Sequence, residues 1–233
     1  MLTQTTISPA GRMPIGHGAR HQRPDNDLSE ANDLSEAIEM LGDAKSYRRN
    51  EEIYFQGEPT DSLYKVISGA VRTYKILADG RRQIGAFYLP GDVFGLEARD
   101  DHAFSAEAIV DAKVLVVRRS EIFTLADRDN DIARDLWKLT ARELQRVQDR
   151  LLLLVKTAQE RVVGFLLEMA ERGYAANEVE LPMSRQDIAD YLGLTIETVS
   201  RTFTQLTTTA AIELPTSRRI VLRNRAALRR LAS

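Results

Sequence analysis

The sequence predicts an α+β chain in three parts: an N-terminal antiparallel β-barrel or jelly roll, one long helix, and a C-terminal helix-turn-helix followed by a β-hairpin wing. Three observations predict it. Short runs rich in Ile, Tyr, Val and Phe between residues 48 and 118 are divided by Gly57, Gly69, Gly80, Gly85, Gly91 and Gly95, the texture of a small antiparallel barrel or roll. Apolar residues at heptad spacing then run from Ala133 to Ala158. Finally, residues 184–206 (SRQDIADYLGLTIETVSRTFTQL) hold two short helix patterns joined at Gly193.

Composition narrows the function classes first. The chain has 233 residues, 34 Asp and Glu against 32 Lys and Arg, and 43% hydrophobic residues, an ordinary globular balance with length for two modest domains. It has no cysteine, which excludes disulfides, thiol catalysis, zinc fingers and Cys-ligated iron–sulfur clusters. Only His17, His21 and His102 are available as imidazole ligands, and two of them fall in a polar tail, so no metal site or cofactor is expected. No GxxxxGK[ST], GxSxG or HExxH pattern occurs, which argues against the common hydrolases. The longest apolar run, residues 151–155, is far too short to span a bilayer. The N-terminus lacks the unbroken apolar stretch of a secretory signal. The expectation is a cytoplasmic non-enzyme with no membrane contact.

Along the chain, residues 1–26 mix Gly, Pro, Thr, Arg and His without apolar periodicity and read as a disordered tail. Asp-Leu-Ser-Glu-Ala occurs at 27–31 and again at 33–37; Leu34, Ile38 and Leu41 share a helical face that Gly42 closes. Residues 62–74 alternate apolar with polar, Asp79-Gly80 signals a two-residue hairpin, and strands follow at 83–89 and 110–118. Asp131 opens the longest helix. On it Ala133, Trp137, Thr140, Leu144, Val147, Leu151, Leu154 and Ala158 are spaced 4-3-4-3-4-3-4. That narrow seam, with charged flanks, favours a helix pair between two copies over packing on the chain's own core. A second helix spans 159–172, and 178–181 reads as a short strand ending at Pro182.

The helix-turn-helix carries the chemistry. Ser184 with Asp187 forms a capping box, Gly193 stops the first helix, and Thr195 caps the second. Val199, Phe203 and Leu206 share the inner face of that second helix; Glu197, Ser200, Arg201 and Thr204 share the outer one. An arginine fork matches guanine O6 and N7, and a carboxylate accepts from cytosine N4 or adenine N6. Glu197 and Arg201 are four apart and can pair; the alternative is a solvated helix face with one salt bridge. Downstream, residues 212–223 form a hairpin with Arg218 and Arg219 at its tip. From Pro182 onward eight basic residues stand against four acidic ones, a local surplus of +4 in a chain of net charge −2, placed where phosphate contact needs it. Double-stranded DNA is the expected partner.

On these residues the chain resembles the CRP/FNR superfamily of transcription regulators from about residue 45 to the end. The resemblance is carried by IYFQGEPTDSLYKVISGAV (53–71), FYLPGDVFG (87–95) and SRQDIADYLGLTIETVSR (184–201). It implies a cyclic-nucleotide-binding-like sensor barrel (27–130), a dimerisation helix (131–158) and a winged-helix DNA-binding domain (159–233). It also implies base contacts from Glu197, Ser200 and Arg201 to a TTGA…TCAA palindrome. Ile196 stands where the cAMP-responsive branch has an arginine, and either meets a thymine methyl or packs inward. Ser184, Arg185, Gln186, Thr195 and Thr198, with Arg218 and Arg219, match phosphate-facing positions that set register. A homodimer and a partnership with RNA polymerase follow from the resemblance.

The departures select a branch. Without cysteines there is no oxygen-sensing cluster of the FNR kind. Glu97 is displaced by one position from the nucleotide-binding glutamate, and Phe104-Ser105 replaces the Arg-Ser pair; a phenyl ring offers a cyclic phosphate no hydrogen bond. Arg99 reads as a surface-loop residue. What remains resembles the rhizobial FixK-type branch, activators of microaerobic and nitrogen-fixation genes without a small-molecule effector, with a cyclic-nucleotide-responsive regulator as the alternative. A cupin-like enzyme lacks the necessary histidines, and a coiled-coil adaptor leaves the outer stripe and the basic hairpin unused. The run Thr207-Thr208-Thr209-Ala210-Ala211 departs from the charged and Gly residues usual at that place in the family.

Overall fold

The computed structural model describes residues 32–173 and 177–232; the expected tail and the first copy of the duplicated pentapeptide lie outside them. Helix α1 (Asn32–Leu41) buries Leu34, Ala37 and Ile38, whereas Leu41, expected on that face, is exposed. Strands β1 (Asp43–Tyr47), β2 (Glu52–Tyr54), β3 (Ser62–Ile76), β4 (Arg82–Tyr88), β5 (Val93–Phe94) and β6 (Ser105–Arg118) follow. They form one antiparallel sheet in the order β1-β6-β3-β4, with β2 on β6 and β5 on β3. The path is open, so of the two expected architectures the jelly-roll-like one is found, not a closed barrel.

The roll bends in the middle of β3. Register slips between Val66 and Val71 against β6, and Gly69 sits there at φ +80°, where a Cβ would lie 2.3 Å from the Asp111 carbonyl oxygen. No other residue fits that crossing. The β3–β4 turn is present but spans residues 77–81, not two residues: the Leu77 N–H donates to the Arg81 carbonyl at 2.8 Å, and Gly80 takes the left-handed position at φ +83°.

Helix α2 (Arg119–Ala126) is unanticipated in the sequence; Arg118 before it offers no side-chain cap. Helix α3 (Asn130–Leu152) starts one residue before Asp131, with the Asp129 carboxylate accepting from the Asp131 N–H at 2.9 Å. It ends earlier than the heptad count implies. A 3₁₀ turn (Leu153–Val155) follows, and then α4 (Ala158–Arg172). Thr157 opens α4 with a full capping box: its hydroxyl accepts from the Glu160 N–H, and the Glu160 carboxylate accepts from the Thr157 N–H at 2.6 Å. Leu154 therefore lies in the turn and Ala158 on the next helix, so the straight seam is Trp137, Thr140, Leu144, Val147 and Leu151. Helix α3 has two stripes: Ile132 and Leu136 pack against α1, α2 and β6, while Trp137 is 73% exposed and Leu144, Val147 and Leu151 are also exposed.

The C-terminal part comprises β7 (Glu178–Glu180), α5 (Arg185–Leu192), α6 (Ile196–Thr208), β8 (Ile212–Glu213), β9 (Arg219–Leu222) and α7 (Arg225–Ala232). The wing is three-stranded, in the order β7-β9-β8. A single apolar core joins Ala70, Ile84, Phe87 and Ile109 of the roll to α4, α5 and α6. The Thr/Ala run forms the last turn of α6 and its reversal, with the Thr207, Thr208 and Thr209 hydroxyls donating to carbonyls one turn back. Ala210 then sits at φ +53°, a conformation costing a non-glycine residue about 1–2 kcal/mol. Since glycine also loses more entropy on folding, Ala210→Gly should stabilise the fold by about 0.5–1 kcal/mol in urea unfolding; a destabilised variant would show that Ala210 is not strained.

Candidate nucleic-acid interface

Local sequence builds this surface. Ser184 caps α5: its hydroxyl accepts from the Asp187 N–H at 3.1 Å, while Asp187 Oδ2 accepts from the Ser184 N–H at 2.9 Å and its Oγ–H at 2.8 Å. Gly193 ends the helix at φ +64°, ψ +40°, and both it and Leu194 donate to the Ala189 carbonyl. Thr195 caps α6 by accepting from the Thr198 N–H at 3.3 Å. Val199, Phe203 and Leu206 are buried beneath.

That anchoring turns the opposite face outward. Glu197, Ser200, Arg201 and Thr204 are all exposed. Ile196 is 37% exposed, which leaves its side chain available at the surface. Glu197 and Arg201 do not close into an ion pair. The Glu197 carboxyl is nevertheless held below its ordinary pKa, first by the backbone N–H at the helix start, then by the Thr195 hydroxyl and the Arg201 charge. The stripe thus presents a fixed anion and a cation one turn apart.

The expected phosphate-facing residues are not equivalent. Ser184, Gln186 and Thr195 are exposed and Thr198 is half-buried. Arg185 turns inward: its guanidinium lies 3.3 Å from the centroid of the Phe203 ring. Loss of solvent there lowers its pKa to about 10, so it is still a cation at neutral pH. In the wing, Arg219 is matched by Glu178 of β7 at 2.6 Å, and Arg223 by Glu213 across the hairpin. Among the described residues, neither Arg201 nor Arg218 enters an ion pair.

Beneath α5 lies a cluster that sequence reasoning missed. Asp187 Oδ1 accepts from Arg72 Nη1 at 2.8 Å and Arg82 Nη2 at 2.6 Å. Arg72 also donates to Glu107 at 2.7 Å, and Arg82 to Asp190 at 2.8 Å. The Asp187 side chain is only 4% exposed. Burial works against the Arg82 charge, and the carboxylates of Asp190 and Asp187 overcome it, raising its pKa above the ordinary arginine value. The strand gave little warning, since Arg72 is one of three cations in β3, with Lys65 and Lys75.

Known proteins share these two domains. Residues 160–231 match the model of a Crp-like helix-turn-helix domain, and residues 44–129 that of a cyclic nucleotide-binding domain. A nitrogen fixation regulation protein FixK of Azorhizobium caulinodans is 51% identical over 205 residues, 85% of this chain and 83% of that protein. Its namesake in Rhizobium meliloti is 40% identical over 88% of this chain and 98% of that protein. The solved structure of FixK2 from Bradyrhizobium japonicum superposes with a TM-score of 0.79 at 52% identity, covering 83% of this chain and 98% of that one. The chain belongs to the CRP/FNR family. It is a FixK-like transcription regulator with a helix-turn-helix DNA-binding domain, and its relatives are regulators, not enzymes.

The cyclic-nucleotide-binding fold of this family member does not carry residues that fit a cyclic phosphate. Its interior is filled by rings: His102, 2% exposed, stacks 3.6 Å from Tyr54, and Tyr64, Phe94 and Tyr88 continue the stack. Glu97 is engaged by His102 Nδ1 at 2.7 Å. The Phe104 ring packs where a Cβ on Gly85 would be, and Ser105 Oγ accepts from the Gln56 N–H at 2.9 Å. Arg99 is exposed. The Arg119 guanidinium beside it is engaged by the Glu97 carbonyl at 2.6 Å and by the Thr60 hydroxyl, and the Phe104-Ser105 pair offers a phosphate no cation. Asp187→Ala removes the anion that Arg72 and Arg82 share, leaving them Glu107 and Asp190 alone, and removes the cap of α5, so it should lower stability by about 2–4 kcal/mol; a loss under 1 kcal/mol in urea unfolding would show the charges to be solvated.

Proposed function

We propose that the chain is a homodimeric transcription activator that reads a TTGA…TCAA-type palindrome and acts without a small-molecule effector in the cytoplasm. Microaerobic and nitrogen-fixation genes are its targets, and RNA polymerase is its partner at them. The observation that carries the reading is the outward stripe of α6, where Glu197, Ser200 and Arg201 stand exposed on a helix fixed from below. Glu197 and Arg201 read base edges, with Ser200 and Ile196 beside them. Ser184, Gln186, Thr195, Thr198 and the wing hold phosphates, Arg218 more strongly than Arg219, whose charge Glu178 already balances. Arg185 joins them only by leaving the Phe203 ring. The FixK names of the relatives support the choice of genes.

Two copies meet along the exposed seam of α3, and each recognition helix then enters a major groove about 34 Å from the other. The ring-filled interior of the roll supports effector-free action. A second reading, a cyclic-nucleotide-responsive regulator, is favoured by the family model matched over residues 44–129; binding heat at micromolar cAMP or cGMP in calorimetry would establish it in place of the first.

Arg201→Ala should cost about 1–3 kcal/mol on the specific duplex and flatten the preference at the guanine. Arg218→Ala should weaken specific and random duplexes alike and reduce the salt slope by about 1, with Arg219→Ala doing less. Fluorescence anisotropy across a salt series checks both, and an equal loss on all sequences for Arg201→Ala would overturn the base-reading role. Val147→Glu places a charge in the seam where an apolar side chain contributes roughly 1.5–3 kcal/mol. Sedimentation should then show monomers; an unchanged dimer would place the interface elsewhere.

A further inference from the structure

Helix α5 is tied at three positions on one face, two to the roll and one to α3. Asp187 receives Arg72 of β3 and Arg82 of β4; Asp190 receives Arg82 through its carboxylate and Gln83 Nε2 through its carbonyl at 2.7 Å. The Tyr191 carbonyl receives Arg150 Nη2 at 3.1 Å, and the same guanidinium donates to the Ile84 and Gly85 carbonyls of β4. Arg150 belongs to the last turn of α3, the helix that carries the seam. Helix α6 in turn rests on α5 through Ile188, Leu192, Val199 and Phe203, all buried. The reading stripe on α6 is left uncovered by this arrangement, so the contact does not mask the stripe; it sets where the stripe points.

The apolar contacts between the two parts, Phe87 with Phe165 and Tyr191, are non-directional and tolerate sliding. Guanidinium–carboxylate forks are directional and short, and a buried charged group is better suited to fixing register than to adding stability. We propose that Arg72 and Arg82 are positioning residues: by gripping Asp187 and Asp190 they fix the angle of the helix-turn-helix to the roll, and thereby the half-site spacing the dimer accepts. The spacing consequence rests on the palindrome reading above; the angle does not.

Two measurements test it separately. The chain has no cysteine, so Lys113→Cys on β6 and Thr208→Cys on α6 accept spin labels at chosen places. With labelled chains diluted in unlabelled ones, electron-spin distance measurements should give one narrow distance, broadened by Arg82→Gln and kept narrow by Arg82→Lys. An unchanged distribution in Arg82→Gln overturns the positioning role whether or not the protein binds DNA. The second measurement uses TTGA and TCAA half-sites at a series of spacings. The unaltered protein should prefer one spacing over its neighbours by about tenfold or more, and Arg82→Gln should shrink that to about threefold or less, with base preference inside each half-site retained. Retained spacing preference, or loss of base preference in parallel, overturns the proposal. If the unaltered protein binds none of these duplexes, the palindrome reading fails and the spacing role with it. Arg82 is chosen because its side chain is 25% exposed, against 9% for Arg72, so its replacement leaves less buried charge unmatched.

Discussion

One carboxylate sits at the centre of this molecule. Asp187 is buried, and an unpaired carboxylate there would cost several kcal/mol in lost solvation. Its two oxygens meet that cost in different ways. Oδ2 takes the Ser184 N–H and hydroxyl and so starts the first helix of the helix-turn-helix; Oδ1 takes Arg72 and Arg82 of the roll. The group that caps the helix is therefore also the group that attaches it. The two functions are coupled: without the arginines the cap carries a buried charge, and without Asp187 the arginines fall back on Glu107 and Asp190, which lie outside the cap.

The two halves of the chain solve their interiors differently. At the junction with the C-terminal helices, charged forks of Arg72, Arg82, Arg150 and Arg172 reach carboxylates or backbone carbonyls. Inside the roll, stacked rings occupy the space, and Glu97, which faces Tyr54, is answered by His102. Ring stacking fills volume without demanding many polar partners. A pocket for a charged ligand requires donors left open toward a cavity, whereas Arg72, Arg82, Arg150 and Arg172 are engaged at the junction.

The signals that were legible in the sequence are local. The Ser184–Asp187 box, Gly193, the Thr195 cap and the outward stripe all depend on steps of four positions or fewer along the chain, and each stands in the structure where its spacing puts it. The glycine-divided strands were legible for the same reason. Signals failed where a periodic count ran past a local stop: the heptad seam continues arithmetically to Ala158, yet Thr157 and Glu160 cap a new helix there, a T-x-x-E pattern that the apolar repeat overshadowed. Helix α2 has no side-chain cap, and α7 follows the wing directly, so neither announced itself. The arginine cluster was invisible for a different reason. Arg72 and Asp187 are 115 positions apart, and nothing in either neighbourhood names the other.

The end of α3 gives the junction its wider meaning. A helix C-terminus favours a cation, and Arg150 supplies one, but its guanidinium leaves its own helix to cap carbonyls of β4 and α5 and to lie 4.4 Å over the Tyr191 ring. The seam helix, the roll and the helix-turn-helix thus meet at one planar group with five donors in fixed geometry. A rotation of α3 about its axis cannot leave that fork in place. It must either break bonds to Ile84, Gly85 and Tyr191 or carry α5 with it, and α6 follows α5 through a close-packed core that transmits displacement instead of absorbing it. The route from the end of α3 to the reading stripe is therefore mixed: the hydrogen bonds of Arg150 reach β4 and α5, and the apolar core carries the rest from α5 to α6.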